Sequence, residues 1–396
     1  MSTGYLIRLG VLHNFFTGRC GGSYIATTEV LSQLEKMGVN ISVFTTSAIA
    51  QTGRRRTVFL EKRSDNYVIY RFNSFLKFRE YRVSFKMIPF LLKDSHNIDI
   101  FHSNAMRSYQ EDIGSLVSFI KNKPFIITTH GVIAINWDYS DKIPKMIYDK
   151  SLGYLKRKLL NPHFIAVAKS EIPIIKKYGI DDDHIHYIPL GVDTGIFKPV
   201  DSSDLRKKYN LDSFDTILYV GRIAKGKGVD TLIKVLNLIV KKRQNVKVII
   251  VGDDSGYLPV VKTLIQKYKL TKHVIFPGYI SKNELPKYYC LADLCIYPSR
   301  QEIFGLTLVE AGACGKPVIG SDIMGPSEII VDGKTGYTSD FQNLNELSDQ
   351  ILELLNDKEE LIKMGRKGQE RVTSKYSWKK AAESHLNLYK MVLNSK

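Results

Sequence analysis

The feature that most constrains this chain is an alternation of short apolar runs, rich in Val, Ile and Phe, with longer amphipathic segments through most of its length. Such runs have the length of buried strands and the amphipathic segments supply the crossovers, so the pattern reads as βα units on parallel sheets. In the first half, strands are expected near YLIRLGVL, VNISVFTT, IDIFHS, PFIITTH and HFIAVA. After residue 200 the series restarts with DTILYVG, VKVIIVG, HVIFPG, DLCIYPS and KPVIGS, which implies a second sheet of the same kind. A length of 396 residues exceeds what one core usually serves. The stretch IPLGVDTGIFKPVDSSD, with its prolines, glycines and small polar residues, is the natural linker. The two halves share an order of elements but no fixed period, which argues against a solenoid. Two helices stand out. SYIATTEVLSQLEKM places Ile25, Val30, Leu31 and Leu34 on one face, and YSWKKAAESHLNLYKMVL closes the chain with Trp378, Ala381, Leu386, Tyr389 and Met391 available to pack on either domain.

The net charge of +17 favours anionic company: nucleic acid, an acidic membrane surface or phosphorylated small molecules. The N-terminus lacks the basic and apolar pattern of a secretory signal, and no stretch approaches the roughly 20 apolar residues that span a bilayer. A cytoplasmic protein, peripheral at most on the inner face of the cell membrane, is therefore expected. Cys20, Cys290, Cys295 and Cys314 form no CxxC pair and read as buried free thiols. Asp181, Asp182 and Asp183 read as a solvated loop before a strand, and no tightly held metal is expected.

Glycines and cations mark two strand-to-helix junctions. In TGRCGGSY, Gly18, Gly21 and Gly22 allow a tight turn and a close approach of backbone N–H groups to an anion, but the pattern is not GxGxxG and a dinucleotide site is disfavoured. A glycine-rich loop without a ligand is the alternative. In YVGRIAKGKG, Arg222 follows the strand and Lys227 opens the next helix, a placement that suits a diphosphate. Solvated surface lysines are the alternative for Lys225 and Lys227. The most specific local signal is PSRQEIFGLTLVEAGACGKPVIGS, where Glu302 and Glu310 stand on either side of a Phe-Gly turn and can each hold a different hydroxyl of one ligand.

These motifs resemble the retaining GT-B glycosyltransferases of family four, which include sucrose-synthase-like and mannosyltransferase-like enzymes. The resemblance rests on GGSYIATTEVLSQLEKMGVNISVFTT, TTHG, AVAKSEIPIIKKYGI, IPLGVDTGIFKP, YVGRIAKGKGVDTLI, the long segment from FPGYISKNELPKYY to GACGKPVI, and GKTGY, in that order. It implies an α/β chain of two Rossmann-like domains with parallel sheets facing across a cleft. The domains implied are an acceptor-binding part over 1–196, a donor part over 197–375, and a helix over 376–396 near their junction, able to cross back to the N-domain. The activity implied is transfer of a sugar from a UDP-, GDP- or ADP-sugar, with no tightly bound cofactor, to a glycan or lipid-linked acceptor.

Carried over by residue, the resemblance implies that Arg222 and Lys227 bind the donor diphosphate, Glu310 holds the ribose hydroxyls and Glu302 faces the transferred sugar. Backbone amides near Phe304, Gly305 and Leu306 would touch phosphate or sugar, Gly22 would approach the diphosphate from the other domain on closure, and His130 would face the sugar. From the residues alone, His130 reads equally well as a loop histidine. The chain departs from the family pattern at Leu190-Gly191, where Asn-Gly is usual, and at Gly226-Lys227-Gly228, where Glu-Lys-Gly is usual. It departs again at Met324-Gly325, where Gly-Gly is expected.

The segment over 71–93 interleaves Arg71, Lys77, Arg79, Arg82 and Lys86 with Phe72, Phe75, Phe78, Tyr81 and Phe85, and a basic aromatic helix there would suit an anionic membrane surface. An ordinary helix with aromatics in the core is the alternative. Two further functions remain: a basic polyanion-binding protein, although no nucleic-acid module is present and no specific nucleic acid is expected, and a GT-B-shaped sugar-nucleotide epimerase.

Overall fold

The computed structural model describes residues 6–14, 16, 21–46, 60–78, 81–104, 106–133 and 142–395. The chain forms two compact units, Met1–Leu190 with Trp378–Lys396, and Gly191–Ser377.

The first unit carries β1 (Arg8–Leu12), β2 (Asn40–Thr46), β3 (Leu60–Ser64), β4 (Tyr67–Phe72), β5 (Leu76–Phe78), β6 (Tyr81–Val83), β7 (Ile100–Ser103), β8 (Phe125–Thr128), β9 (His163–Ala166) and β10 (Ile185–Tyr187). Eight of these make one sheet in the order β10-β9-β8-β7-β1-β2-β4-β3. Every pairing is parallel except β3 with β4, an antiparallel edge. β7 and β8 are buried at all four positions, as strands covered on both faces must be. The order reverses beside β1, so the loops after β1 and β7 flank a crevice.

The last helix, Trp378–Asn394, packs on the helix Gly21–Lys36 of this unit. Its inward face is Trp378, Ala381, Ala382, His385, Leu388, Tyr389 and Val392, whereas Met391 points outward. Similarly, Gly21–Lys36 buries Ala26, Thr27, Val30, Leu31 and Leu34, and Ile25 is exposed. In both helices the helical period is right; Ile25 and Met391 lie off the stripe, and Leu386 is only half-buried.

The second unit carries β11 (Asp215–Val220), β12 (Val246–Val251), β13 (Val274–Gly278), β14 (Leu294–Tyr297), β15 (Val318–Ser321) and β16 (Gly336–Ser339). They form one parallel sheet in the order β13-β12-β11-β14-β15-β16, with the switch point between β11 and β14. The helix Val229–Lys242 covers it with Val229, Leu232, Ile233, Leu236 and Ile239, the i, i+3, i+4 stripe of an amphipathic helix.

Residues 71–93 do not form one basic aromatic helix. They are the end of β4, the β5–β6 hairpin and a short helix, Met87–Asp94. Arg71 is buried, with its guanidinium on Glu61 and on the Phe16 carbonyl, and Arg82 and Phe72 are buried too. Phe75 and Phe85 are exposed against each other, at 5.6 Å between rings. Arg79 and the side chains of Lys77 and Phe78 lie outside the described residues. The alternating strand period, with β-branched and aromatic residues in YVIYRF, outweighs the helical spacing of the aromatics.

Of the thiols, Cys295 and Cys314 are buried, Cys290 is half-buried, and Cys20 lies outside the described residues. Asp181, Asp182 and Asp183 are exposed just before β10, as expected of a solvated loop. Among the described residues, no helix is long and apolar enough to cross a membrane.

Gly228 shows how tightly the switch point is built. It sits at φ +69 at the start of Val229–Lys242, and an added Cβ would meet the Pro298 carbonyl oxygen at 1.9 Å. Left-handed backbone and overlap with main chain both act against a side chain. Gly228→Ala is expected to cost about 3 kcal/mol, read in a thermal melt as a fall of roughly 6–12 °C.

Candidate functional site

The second unit gathers most of the expected residues at the switch point of its sheet. After β11 the chain turns outward at Arg222, whose side chain is exposed and makes no ion pair among the described residues. Its carbonyl accepts a hydrogen bond from Tyr219 OH at 2.9 Å, which fixes the turn. A 3-10 turn, Lys225–Lys227, then leads into Val229–Lys242. After β14, the loop from Pro298 crosses onto this turn. The Arg300 amide donates to the Gly226 carbonyl at 3.0 Å, and the Arg300 guanidinium reaches the Lys225 carbonyl at 3.2 Å and Asp230 at 2.7 Å.

That crossing brings Lys227 and Glu302 together, Nζ to Oε2 at 2.7 Å, from 75 residues apart in sequence. Both side chains are largely but not wholly covered, so the pair is open to exchange with a ligand. Lys225 stays exposed.

The same loop ends at Gly305, φ +98, which starts the helix Leu306–Ala313. The Phe304 ring is buried edge-on against Tyr376 at 5.7 Å, so Phe304 has only its backbone to offer a ligand. The first N–H groups of a helix lack intrahelical partners, and here they follow Gly305 beside the Lys227–Glu302 pair. Gly325 backs this loop, for a Cβ on it would meet the Ile303 carbonyl oxygen at 2.2 Å. Met324 before it adopts φ +24, a left-handed conformation uncommon outside glycine, at a position where the family pattern has glycine.

Glu310 lies one turn into Leu306–Ala313 and accepts from Tyr289 OH at 2.7 Å. Desolvation raises its pKa to about 7, against the opposing pull of the Tyr289 hydrogen bond and the Lys282 charge. It makes no direct bond to Arg222, Lys227 or Glu302 among the described residues, so it forms a second pole of the site.

In the first unit, Gly22 is the second residue of the helix Gly21–Lys36, and Gly18 lies outside the described residues. His130 follows β8 at φ +44 and meets Asn104 Oδ1 through Nε2 at 3.2 Å. Burial, with His13 and His385 nearby, lowers its pKa to about 3. It is a neutral imidazole. With Asn104 as acceptor, Nε2 carries the proton and Nδ1 is left to accept.

Sequence reasoning missed what surrounds His130. His102 is fully enclosed between Tyr389 OH and Thr128 Oγ1, each at 2.7 Å, and burial lowers its pKa well below the ordinary value. His385 Nδ1 donates to the Ala381 carbonyl at 2.7 Å, and burial lowers its pKa to about 4. His102, Asn104, Thr128, His130, His385 and Tyr389 line one small pocket of this unit. The only signal in the sequence was position, since His102 ends a parallel strand as His130 follows one. Glu171 was also missed, inside a motif already marked. It is buried, accepts from Thr129 OH, from the Gly131 amide at 2.8 Å and from the Val167 amide at 2.8 Å, and so pins the turn that carries His130.

Comparison with known proteins gives the same frame. The profile described as Glycosyltransferase Family 4 matches residues 20–195, and that described as Glycosyl transferases group 1 matches residues 201–371. A GDP-mannose-dependent alpha-(1-6)-phosphatidylinositol monomannoside mannosyltransferase of Mycobacterium tuberculosis is 33% identical over 203 residues, 49% of this chain and 52% of the relative. That match thus spans about half the relative's length. Among solved structures, sucrose-phosphate synthase from Thermosynechococcus elongatus superposes with a TM-score of 0.79 at 22% identity, covering 98% of this chain and 100% of that one. Anabaena HepE, solved in complex with UDP and glucose, superposes with a TM-score of 0.77 at 18% identity, covering 98% and 100%. At such identities the structures speak for the fold, which is GT-B. With profiles matched in sequence along both units, the chain belongs to the group 1, family 4 glycosyltransferases.

Proposed function

We propose that this chain moves a sugar from a nucleotide-diphosphate sugar to an acceptor hydroxyl with retention of the anomeric configuration. The observation that carries the reading is the junction of the loops after β11 and β14, where the Lys227–Glu302 pair and the exposed Arg222 stand beside the start of Leu306–Ala313. This is where an open parallel sheet presents a ligand, and the groups present are those a diphosphate needs.

In this reading Arg222 and Lys227 bind the diphosphate, and the amides near Phe304, Gly305 and Leu306 complete its cradle. Glu302 faces the transferred sugar and Glu310 takes the ribose hydroxyls. As the bond from the anomeric carbon to the diphosphate breaks, its electron pair stays on the departing phosphate oxygen, and the cations stabilise that charge. The acceptor oxygen forms the new bond on the same face and its proton passes to the departing phosphate. Gly22 and His130 keep their expected roles toward phosphate and sugar, with His130 acting as a neutral hydrogen-bonding group.

The donor is a UDP-, GDP- or ADP-sugar. The acceptor is a glycolipid, a lipid-linked glycan or a polysaccharide precursor. A bound ligand raises stability by mass action, so a thermal-shift screen of the three donor classes, with chelator and with added magnesium, tests the reading. One class is expected to raise the melting temperature of the wild type and leave Glu310→Ala unmoved. No shift with any donor, together with strong salt-dependent binding to a nucleic acid, would replace the proposal with the polyanion-binding alternative.

A further inference from the structure

In the first unit the helical stretch over 142–160 is built inside out. It consists of the helix Lys142–Tyr148, a π turn Asp149–Gly153 and the helix Tyr154–Leu160. Four of its polar side chains, Tyr148, Asp149, Lys156 and Arg157, face the protein. Lys156 Nζ reaches Glu111 at 2.6 Å, Asp112 at 2.7 Å and Tyr148 OH at 2.6 Å. Arg107 holds both carboxylate oxygens of Asp149, at 2.9 and 2.7 Å, and the Arg157 guanidinium lies 3.9 Å over the Tyr178 ring. Glu111 and Asp112 are themselves buried at the start of the helix Tyr109–Ile120, so turning the stretch about its axis would strand buried carboxylates without partners.

The apolar residues are therefore held outward. Ile143, Met146, Ile147, Leu152, Leu155 and Leu159 are all exposed, Ile147 by 60% and Leu155 by 49%, with Tyr154 beside them. A surface helix normally turns that stripe to the core. Concentrated exposed apolar residues of this kind mark an interaction site.

Charge selects the partner. Lys150 and Lys158 are exposed among the apolar residues and Lys145 is partly exposed. Asp149, the acid within the described part of this stretch, is turned inward onto Arg107. Asp181, Asp182 and Asp183 lie beyond the end of the stretch, past Asn161, and Asp182 is engaged by Lys176. A second copy of the chain meeting this face about a two-fold axis would set lysines against lysines. An anionic bilayer meets both needs, because acyl chains receive the aliphatic side chains and headgroups receive the ammonium groups. We propose that the outward face of residues 143–159 seats the first unit on an anionic lipid surface, lying in the interface plane.

The test uses the full chain and flotation with phosphatidylcholine vesicles, with and without phosphatidylglycerol, at low and high salt. The wild type is expected to float with the anionic vesicles at low salt, less at high salt and little with the neutral ones. Ile147→Ser combined with Leu155→Ser, and separately Lys150→Glu combined with Lys158→Glu, should each lower the partition coefficient by about tenfold or more. These positions are exposed, and unchanged melting temperatures confirm intact folding. In Leu152→Trp, brominated acyl chains should quench emission beyond that seen in the wild type. Failure of the wild type to float, retention of binding in the Ile147/Leu155 variant, or absence of extra quenching at position 152 each overturns the proposal. So does a concentration-dependent dimer that the Ile147/Leu155 variant abolishes.

Discussion

Lys227→Ala is expected to lower kcat/KM by about 10²–10³-fold, measured as release of nucleoside diphosphate from the donor that the thermal-shift screen selects. Negative charge develops on the departing diphosphate only as the glycosidic bond breaks, so a cation placed there acts mostly on the transition state. In the free protein Lys227 is held by Glu302 at 2.7 Å, and a diphosphate arriving at Arg222 must compete for the ammonium group. Removing that competitor should have an opposite signature. Glu302→Gln is expected to bind free nucleoside diphosphate at least as tightly as the wild type while transfer falls, because the sugar loses its carboxylate. Calorimetry of both variants separates the effects. A Lys227→Ala protein within threefold of wild-type turnover would remove Lys227 from the chemistry.

Glu310→Gln should stabilise the folded protein above pH 7 while weakening its hold on the donor. Burial raises the carboxyl to about 7, above its unfolded value, so the folded state binds the extra proton in between. Stability from this group is fully present below the unfolded pKa of about 4.5 and is lost as the pH rises through about 7. At pH 8 the wild type therefore holds a desolvated charge that the amide lacks. The variant should be more stable there by about 1–3 kcal/mol, with the gap closing toward pH 5. The Tyr289 hydroxyl can still donate to the amide oxygen, so the comparison leaves that hydrogen bond in place.

Ligand binding should show the mirror image. Ribose hydroxyls donate best to the ionised carboxylate, so donor affinity in the wild type should fall as the pH drops below about 7. Binding at pH 6.5 should also release protons, seen as a buffer-dependent heat, and both effects should vanish in the glutamine variant. A glutamine variant of equal donor affinity and flat stability difference from pH 5 to 8 would show that Glu310 neither carries the buried charge nor meets the ribose.

Much of this was legible in the sequence because the signals are local and periodic. The ten strands expected from the apolar runs are all present, since a strand covered on both faces must be apolar throughout its short length. The six others, β3 to β6, β10 and β16, were not foreseen, and most of them are short or lie at an edge where residues such as the Lys62 and Arg63 of β3 need no burial. Junction chemistry was equally readable. Arg222, Lys227, Glu302 and Glu310 were marked by residue type and by their place after strands, which the fold then put around one switch point or one helix turn away from it.

What sequence could not decide is which face of an element meets what, because that depends on partners far along the chain. The Lys227–Glu302 contact needs β11 and β14 to be neighbours, and the enclosure of His102 needs Tyr389 to be brought from 287 residues away. The stretch over 142–160 carries lysines and leucines in a mixture that suits either orientation, and Glu111, Asp112 and Arg107 turn Lys156 and Asp149 inward while Lys150 and Lys158 stay exposed. Arg71 and Arg82 looked like a basic surface until strand pairing buried them. The amino-acid sequence by itself determined the two α/β sheets, the family and the junction residues, since each rests on short-range period and residue chemistry. The tertiary structure alone decided the return of the last helix to the first unit, the neutral histidine pocket and the outward apolar face, since burial and long-range pairing set the side each residue presents.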